Sequence, residues 1–159
     1  MTRGELLTAA GFLVVVALYA GLSTLWTSTD PGWYDALAKP AWQPPPVVFG
    51  VMWPLNFLAL SVAGIAVSVN SPSQQARTAL GVFAISVVFA LAWAYLFYVP
   101  HALGPATVAL ASAAVITWVL VIVTWRALPW AGAVLIPYAL WMSIATSLSV
   151  GYWQLARAH

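Results

Sequence analysis

The chain has 159 residues, 64% of them hydrophobic, and five basic against three acidic side chains leave a net charge of +2. So little polar surface excludes a soluble globular protein, and so few scattered cations give no indication of a nucleic-acid partner or a polybasic lipid-binding patch. The absence of cysteine excludes disulfides, iron–sulfur clusters and cysteine-ligated zinc. The composition predicts an integral membrane protein surrounded by lipid.

Five apolar runs are long enough to cross a bilayer. About 20 residues span the roughly 30 Å of hydrocarbon as a helix, and none of the runs alternates as a β-barrel strand does. The first run could be a secretory signal, but its length favours a retained helix. We predict one all-α domain over residues 1–159, a membrane bundle with five transmembrane helices at about Leu6–Trp26, Val47–Val69, Thr78–Val99, Ala102–Trp125 and Trp130–Trp153.

One long connection, residues 27–46, separates the first two predicted helices, whereas the other three connections are short. A loop longer than about 12 to 15 residues is usually functional or disordered, and its prolines and aromatic residues argue for order. We therefore predict an ordered lid over one mouth of the bundle. Asp35 and Lys39 are four residues apart, which predicts a helical turn stabilised by their ion pair; alternatively, Lys39 meets an anionic group of a ligand.

Small residues recur at every fourth position on three predicted helices, a spacing that lets helix backbones approach closely in lipid. Such stripes serve packing within a bundle or contact with a second copy, and the first interpretation is the simpler one. The stripes are Ser86, Ala90 and Ala94; Ala109, Ala113 and Thr117; and Ala139, Ser143, Ser147 and Gly151.

Tryptophans and prolines point to a cavity under the lid. Pro54 and Pro137 lie inside predicted helices, where each is expected to kink the helix and open space beside Trp53 and Trp141. Four tryptophans at helix ends fit the interfacial belt of membrane proteins: Trp26, Trp125, Trp130 and Trp153. Four lie deeper, where pocket lining and bundle packing are equally good interpretations: Trp53, Trp93, Trp118 and Trp141.

No group of side chains points to ordinary catalysis or to a metal. The predicted spans lack internal carboxylates, lysines and histidines, which weighs against an ion-coupled transporter or pump. His101 has no second ligand nearby, so we interpret it as a solvated interfacial histidine. No base accompanies the serines and threonines to make a nucleophile. We expect no cofactor.

Two long motifs resemble the TspO family, which includes the tryptophan-rich sensory proteins and the animal translocator proteins. The first is WYDALAKPAWQPPPVVFGVMW, similar to the family pattern of Trp-Tyr, Lys-Pro, Trp-x-Pro-Pro, Phe and Trp. The second is WAGAVLIPYALWMSIATSLS, residues 130–149, and PATVAL in the fourth helix lies between them. Together with five spans and matching loop lengths, the resemblance covers nearly the whole chain.

The resemblance implies a five-helix bundle, commonly dimeric, in a bacterial cell membrane, with a ligand cavity closed by the first loop. Family members bind porphyrins such as protoporphyrin IX, and some bind cholesterol, isoquinolines or benzodiazepines. By position, the implied ligand-binding residues are Tyr34, Pro44, Pro45, Phe49, Trp53, Phe57, Trp93, Trp141, Ala145 and Leu148. Two departures, Ala90 and Ser149, stand where the family usually carries asparagine.

The resemblance leaves three functions open. The leading hypothesis is a membrane binding or sensory protein for tetrapyrroles and other flat hydrophobic molecules. Some bacterial members are reported to degrade porphyrin in light, with deep tryptophans that correspond to Trp53 and Trp141, so an enzyme is the alternative. Transport of porphyrin or sterol is a third possibility, disfavoured by the small size and the lack of intramembrane charge.

Overall fold

The computed structural model describes all residues from Met1 to His159 and contains six helices and no strand. Five helices are long and apolar enough to cross a membrane, which confirms the predicted all-α, five-span architecture. The sixth is a short helix inside the predicted lid. In chain order they are α1 (Arg3–Thr27), α2 (Pro31–Ala36), α3 (Pro46–Asn70), α4 (Ser73–Tyr98), α5 (Leu103–Ala127) and α6 (Pro129–Ala158).

Several helices extend beyond the apolar runs that predict them. α1 starts at Arg3 because Thr2 and Glu5 form a capping box: the Thr2 Oγ1 accepts from the Glu5 amide at 3.2 Å, and the Glu5 carboxylate accepts from the Thr2 amide at 2.7 Å. α4 starts at Ser73, directly after Pro72. Because a helix satisfies its own backbone hydrogen bonds, it continues into water beyond the hydrocarbon. Apolar content therefore locates the membrane segment but not the helix ends.

The five long helices form a closed ring. α1 packs between α3 and α4, α6 packs between α3 and α5, and α4 packs against α5. Short connections keep α4, α5 and α6 side by side, whereas α3 and α4, joined by an equally short connection, pack only weakly because α1 lies between them. The cavity described below lies inside this ring at the end covered by the lid.

The small-residue stripes pack within the chain. Those on α4 and α5 are buried in the bundle: Ser86, Ala90 and Ala94, and Ala109, Ala113 and Thr117. On α6, Ser143 accepts a hydrogen bond from the Trp118 indole at 3.1 Å, and Ser147 accepts one from the Trp42 indole at 3.2 Å. Gly151 lies directly beneath Pro40 of the lid. Intramolecular packing accounts for the stripes on α4 and α5, whereas on α6 the side chains of Ser143 and Ser147 remain exposed.

The lid is ordered around α2. Asp30 caps this helix through its Oδ1, which accepts from the Trp33 amide at 3.1 Å, and Pro31 occupies the first turn. The predicted Asp35–Lys39 ion pair is wrong. α2 ends at Ala36 and Leu37 is extended, so Lys39 leaves the helical register, and its Nζ donates to the Asp35, Tyr34 and Leu37 carbonyls at 3.1, 3.4 and 3.4 Å. Lys39 therefore closes the C-terminus of α2.

We expect Lys39→Met to loosen α2, because three helix-end carbonyls lose their charged donor. Amide hydrogen exchange over residues 31–37 should rise about fivefold, corresponding to about 1 kcal/mol of local stability. Asp35→Asn is the matched control and should leave exchange unchanged. If both substitutions raised hydrogen exchange equally, an Asp35–Lys39 ion pair would be the contact that stabilises α2.

Candidate ligand-binding cavity

A cavity of about 460 Å³ lies beneath the lid, within the range of about 300 to 1,000 Å³ typical of small-molecule sites. Its walls come from α1, α3, α4 and α6 and its roof from the lid, while α5 contributes nothing. The residues that line it are Tyr19, Ser23, Thr24, Thr27, Tyr34, Asp35, Lys39, Gln43, Pro46, Phe49, Trp53, Phe57, Ala90, Trp93, Phe97, Tyr98, Trp141, Ala145, Leu148, Ser149 and Tyr152.

The wall between α3 and α6 is made of aromatic rings. The Trp53 and Trp141 rings meet edge to face, with centroids 6.4 Å apart and planes at 90°. Phe49 packs edge-on against Trp141 at 5.4 Å, and Phe57 stacks on Trp53 at 5.8 Å. These contacts show that the two proline-containing helices, α3 and α6, face each other. They give the cavity large π surfaces suited to a flat, apolar molecule.

Two indole N–H groups in the wall have no partner. Trp93 Nε1 and Trp141 Nε1 are buried and make no hydrogen bond within the protein. By contrast, the indoles of Trp42 and Trp118 both donate to serine hydroxyls. A buried donor without an acceptor costs about 1 to 3 kcal/mol. Two buried donors beside the cavity are therefore left without an acceptor.

The rim of the cavity is polar and ties the lid to α6. The Tyr152 hydroxyl donates to Gln43 Oε1. Since a phenol has one proton, Tyr34 must be the donor in the 3.2 Å bond between the Tyr34 and Tyr152 hydroxyls. The resulting chain leaves the amide nitrogen of Gln43 available to a ligand. Asp35 and Lys39 complete the polar side of the rim.

The structure gathers eight of the ten predicted ligand-binding residues around this one cavity and leaves out Pro44 and Pro45. Those two prolines hold the chain extended before α3, so their neighbours Gln43 and Pro46 face inward instead. Ala90 and Ser149, which stand where the family usually carries asparagine, both line the cavity. Of the four deep tryptophans, Trp118 lies outside it. That these residues bind a ligand remains a prediction.

Sequence reasoning missed the contribution of α1. Tyr19, Ser23 and Thr27 recur at every fourth position and form one wall with Thr24. The signal was this polar stripe at the end of an otherwise apolar run. Gln43, Phe97, Tyr98 and Tyr152 were also missed, because their places in the rim depend on how α2 docks.

His101 is only partly the solvated histidine that the sequence predicts, since its side chain is 32% exposed and one face packs on the lid. Its ring stacks on Trp33 with centroids 3.7 Å apart and planes at 11°, and its Nε2 lies 3.9 Å from Asp30 Oδ2. The backbone has a φ of 56°, an unusual value for a residue other than glycine. The α4–α5 connection is thereby shaped to present His101 to the lid, and it holds the first turn of α2.

Gly151 is the point on α6 against which the lid residues Pro40 and Trp42 pack. A Cβ at this position would lie 2.6 Å from Pro40 Cγ and 3.0 Å from Trp42 Cζ2. We expect Gly151→Ala to displace the lid from α6. The rate of proteinase K cleavage in residues 37–45 should therefore rise about tenfold. Ser147→Ala, which removes only the acceptor of the Trp42 indole, should have a smaller effect. Cleavage of Gly151→Ala at the wild-type rate would show that the lid does not rest on this glycine.

Five membrane-crossing helices around a roofed aromatic cavity make this chain a multi-pass integral membrane protein. Residues 9–154 match the TspO/MBR family model. Among similar proteins, the tryptophan-rich sensory protein of Cereibacter sphaeroides is 32% identical over 144 residues, 87% of this chain and 86% of the relative. The tryptophan-rich protein TspO of Bacillus cereus is 31% identical over 140 residues, 86% and 91% of the two chains.

The similarity extends to animals. The translocator protein of Sus scrofa is 26% identical over 151 residues, covering 93% of this chain and 89% of the relative. The chain belongs to the TspO/MBR family, and the resemblance predicted from its two motifs is confirmed.

Proposed function

We propose that the protein binds flat hydrophobic molecules, porphyrins such as protoporphyrin IX foremost, in the cavity beneath the lid, and serves as a membrane binding or sensory protein for them. The observation that carries this proposal is the aromatic wall in which Trp53 and Trp141 meet, with unpartnered indole donors beside it. Sterols, isoquinolines and benzodiazepines share the flat apolar shape and are further candidate ligands.

The polar rim supports a ligand with one polar edge. Gln43 can donate its amide protons to a carboxylate or carbonyl, whereas the Lys39 ammonium is already engaged by the end of α2. A porphyrin would place its macrocycle against the indoles and its propionates at the rim. Most of the affinity comes from buried apolar area, at about 25 cal/mol per Å² before binding costs.

Titration of protoporphyrin IX into the protein in lipid nanodiscs tests the proposal. Quenching of tryptophan fluorescence should saturate at about one ligand per chain, as a single cavity requires. Titration of empty nanodiscs supplies the control for simple partitioning of ligand into lipid. Unsaturable quenching that follows this partitioning would contradict the proposal.

A second candidate function is light-driven porphyrin breakdown. The specific observation in its favour is the contact between Trp53 and Trp141, since indole is oxidisable and two touching indoles could share an oxidised state. The photoexcited porphyrin would act as sensitiser and dioxygen as oxidant. Illumination of the complex in air should bleach the porphyrin faster than in a detergent control, and equal bleaching would leave binding alone.

Assembly and location follow from the same family resemblance. We infer that the protein forms a homodimer in a bacterial cell membrane, because similar proteins occur in bacteria and family members are commonly dimeric. Light scattering of the detergent-solubilised protein should give twice the 17.0 kDa chain mass. A monomer mass would contradict the dimer and leave the cavity unaffected, since one chain supplies all its walls.

A further inference from the structure

One contact between the lid and the bundle depends on a group that titrates near neutral pH. His101 lies in the α4–α5 connection, and its Nε2 is 3.9 Å from Asp30 Oδ2. This is the only place in the protein where a basic and an acidic side chain approach each other so closely. Because Asp30 caps α2, the pair joins the bundle to the first turn of the lid helix. It becomes an ion pair only when the imidazole is protonated.

The same imidazole also lies flat on the lid. Its ring stacks on the Trp33 indole with centroids 3.7 Å apart and planes at 11°. The indole face is the strongest aromatic partner for a cation, so protonation of the ring converts this stack into a cation–π contact. One proton on His101 therefore strengthens two contacts, with Asp30 and with Trp33, and both partners belong to the lid.

The neutral imidazole leaves this contact incomplete. His101 Nε2 is buried and has no hydrogen-bond partner. A protonated imidazole donates from both ring nitrogens, and a charge-assisted bond to a carboxylate is about twice as strong as a neutral one. The Asp30 side chain is 51% exposed and can move the short distance needed to accept from Nε2.

The bundle side of the contact is held in place, whereas the lid side is not. The backbone around His101 is fixed by two hydrogen bonds: the Ala102 amide donates to the Leu96 carbonyl at 2.8 Å, and the Leu103 amide donates to the His101 carbonyl at 3.1 Å. α2 has six residues, none of them buried. A segment with so little buried surface opens at low cost, so α2 is the part that moves when the contact breaks.

The other charged groups near this contact are engaged elsewhere. On the lid, the Lys39 ammonium is bonded to the carbonyls at the end of α2, and Asp35 is exposed without a basic partner. On α6, the Arg157 guanidinium lies over the Trp153 ring at 5.6 Å. The first turn of α5 carries no charged residue.

The remaining lid contacts join groups that stay neutral around pH 7. They are the Tyr34–Tyr152 hydrogen bond, the bond from Trp42 to Ser147 and the packing of Tyr34 on Tyr98 of α4. Phenols ordinarily lose their proton only near pH 10, and indoles and serines do not titrate. His101 is therefore the group through which a change between pH 5 and 8 acts on the docked lid.

The direction of the pH effect follows from linkage. Because the docked lid places a carboxylate and an indole face against His101, it binds the imidazole proton more tightly than the released lid does. Protonation must then favour docking to the same degree. Histidines ordinarily gain their charge as the pH falls from about 8 to 5, and carboxylates keep theirs down to about pH 4. Docking is strengthened as the pH falls through the first range and weakened as it rises.

We propose that His101 is a proton-operated latch that holds the lid over the cavity at acidic pH and loosens it above neutrality. This inference rests on the proposed binding function and adds its regulation: a bound molecule is retained at acidic pH and exchanges faster as the pH rises.

The position of the lid can be measured without a ligand. Because the chain has no cysteine, a nitroxide on Ala36→Cys, at the exposed end of α2, is the only spin label. In nanodiscs of zwitterionic lipid, the ratio of its mobile to its immobile component should rise about fivefold between pH 5.5 and 8, the sum of a partly exposed ion pair and a cation–π contact. A ratio that does not change with pH would overturn the latch.

Substitutions separate the charge from the packing. Asp30→Asn keeps a residue that caps helices equally well but removes the carboxylate charge. It should dock like the wild type at pH 8 and lower the pH response to about twofold, the part due to Trp33. Asp35→Asn, the matched control on the same helix, should keep the full response. His101→Asn, which tolerates the positive φ and carries no charge, should abolish it. A response that survives in His101→Asn, or that Asp35→Asn removes equally, would overturn the latch.

Zinc octaethylporphyrin connects the latch to the cavity, because this porphyrin has no propionates to titrate. Its dissociation from the wild type should be about fivefold slower at pH 5.5 than at pH 8, and about twofold slower in Asp30→Asn. Equal rates at the two pH values would overturn control of exchange by the latch. Absence of saturable binding at both pH values would refute the proposed binding function, while the spin-label ratio still decides whether His101 latches the lid.

Discussion

Replacement of both Trp53 and Trp141 by alanine is expected to weaken protoporphyrin binding about a hundredfold or more. Stacking of a flat ring on an aromatic side chain contributes about 1 to 3 kcal/mol, and each 1.4 kcal/mol changes Kd tenfold. The two indoles meet edge to face in the cavity wall, and Trp141 is 5% exposed, so its loss also opens a void in the wall. Fluorescence titration with protoporphyrin in nanodiscs measures the change.

Trp118→Ala is the matched control for this double substitution. Trp118 has the same side chain and lies deep in a membrane helix, but its indole donates to Ser143 and it does not line the cavity. The control should retain affinity within about threefold of wild type, as expected away from the site. If Trp118→Ala weakened binding as much as the double substitution, or if the double variant bound like wild type, the cavity would not be the binding site.

The second large effect is expected on folding, at Gly132. A Cβ there would lie 2.5 Å from the Trp125 Cα and 2.6 Å from the Trp125 amide nitrogen. Because these are backbone atoms of α5, they cannot rotate away, and α6 must shift as a whole. We expect Gly132→Ala to lower the free energy of unfolding by about 3 kcal/mol and Tm by about 5 to 10 °C in detergent.

Gly81→Ala provides the comparison for Gly132→Ala. Its Cβ would meet no atom within 4 Å, so the change removes backbone freedom without a clash. It should leave the free energy of unfolding unchanged or raise it by up to about 1 kcal/mol, with Tm unchanged or slightly higher. An equal loss of Tm in both variants would mean that the α5–α6 contact does not depend on glycine.

The membrane architecture could be predicted because apolar runs of about 20 residues have few alternatives in a bilayer. The helix ends could not be read from the same runs. The first helix is extended to Arg3 by the Thr2–Glu5 capping box, and α4 extends to Ser73 through polar residues that water can solvate. Hydropathy reports where lipid lies, whereas capping and turns decide where a helix stops.

The cavity was predicted only in part, for reasons that particular residues show. Trp118 and Trp141 look alike in the sequence, and what separates them is the neighbour: a serine hydroxyl for one and the cavity for the other. Tyr19 was missed because most of its helix is apolar on every face, and only Ser23 and Thr27 near the end mark the side that meets the cavity. Lys39 was paired with Asp35 because the spacing suggested a helix, and the extended Leu37 interrupts it.

The most direct test of the cavity is a spectrum of the protein purified in mild detergent from membranes of cells that make tetrapyrroles. The wild type should carry a Soret band equivalent to about one tetrapyrrole per chain, as one cavity per chain requires, and the Trp53→Ala, Trp141→Ala variant should lose it while Trp118→Ala keeps it. A wild-type spectrum without a Soret band, or a band equally strong in the double variant, would contradict tetrapyrrole binding in this cavity.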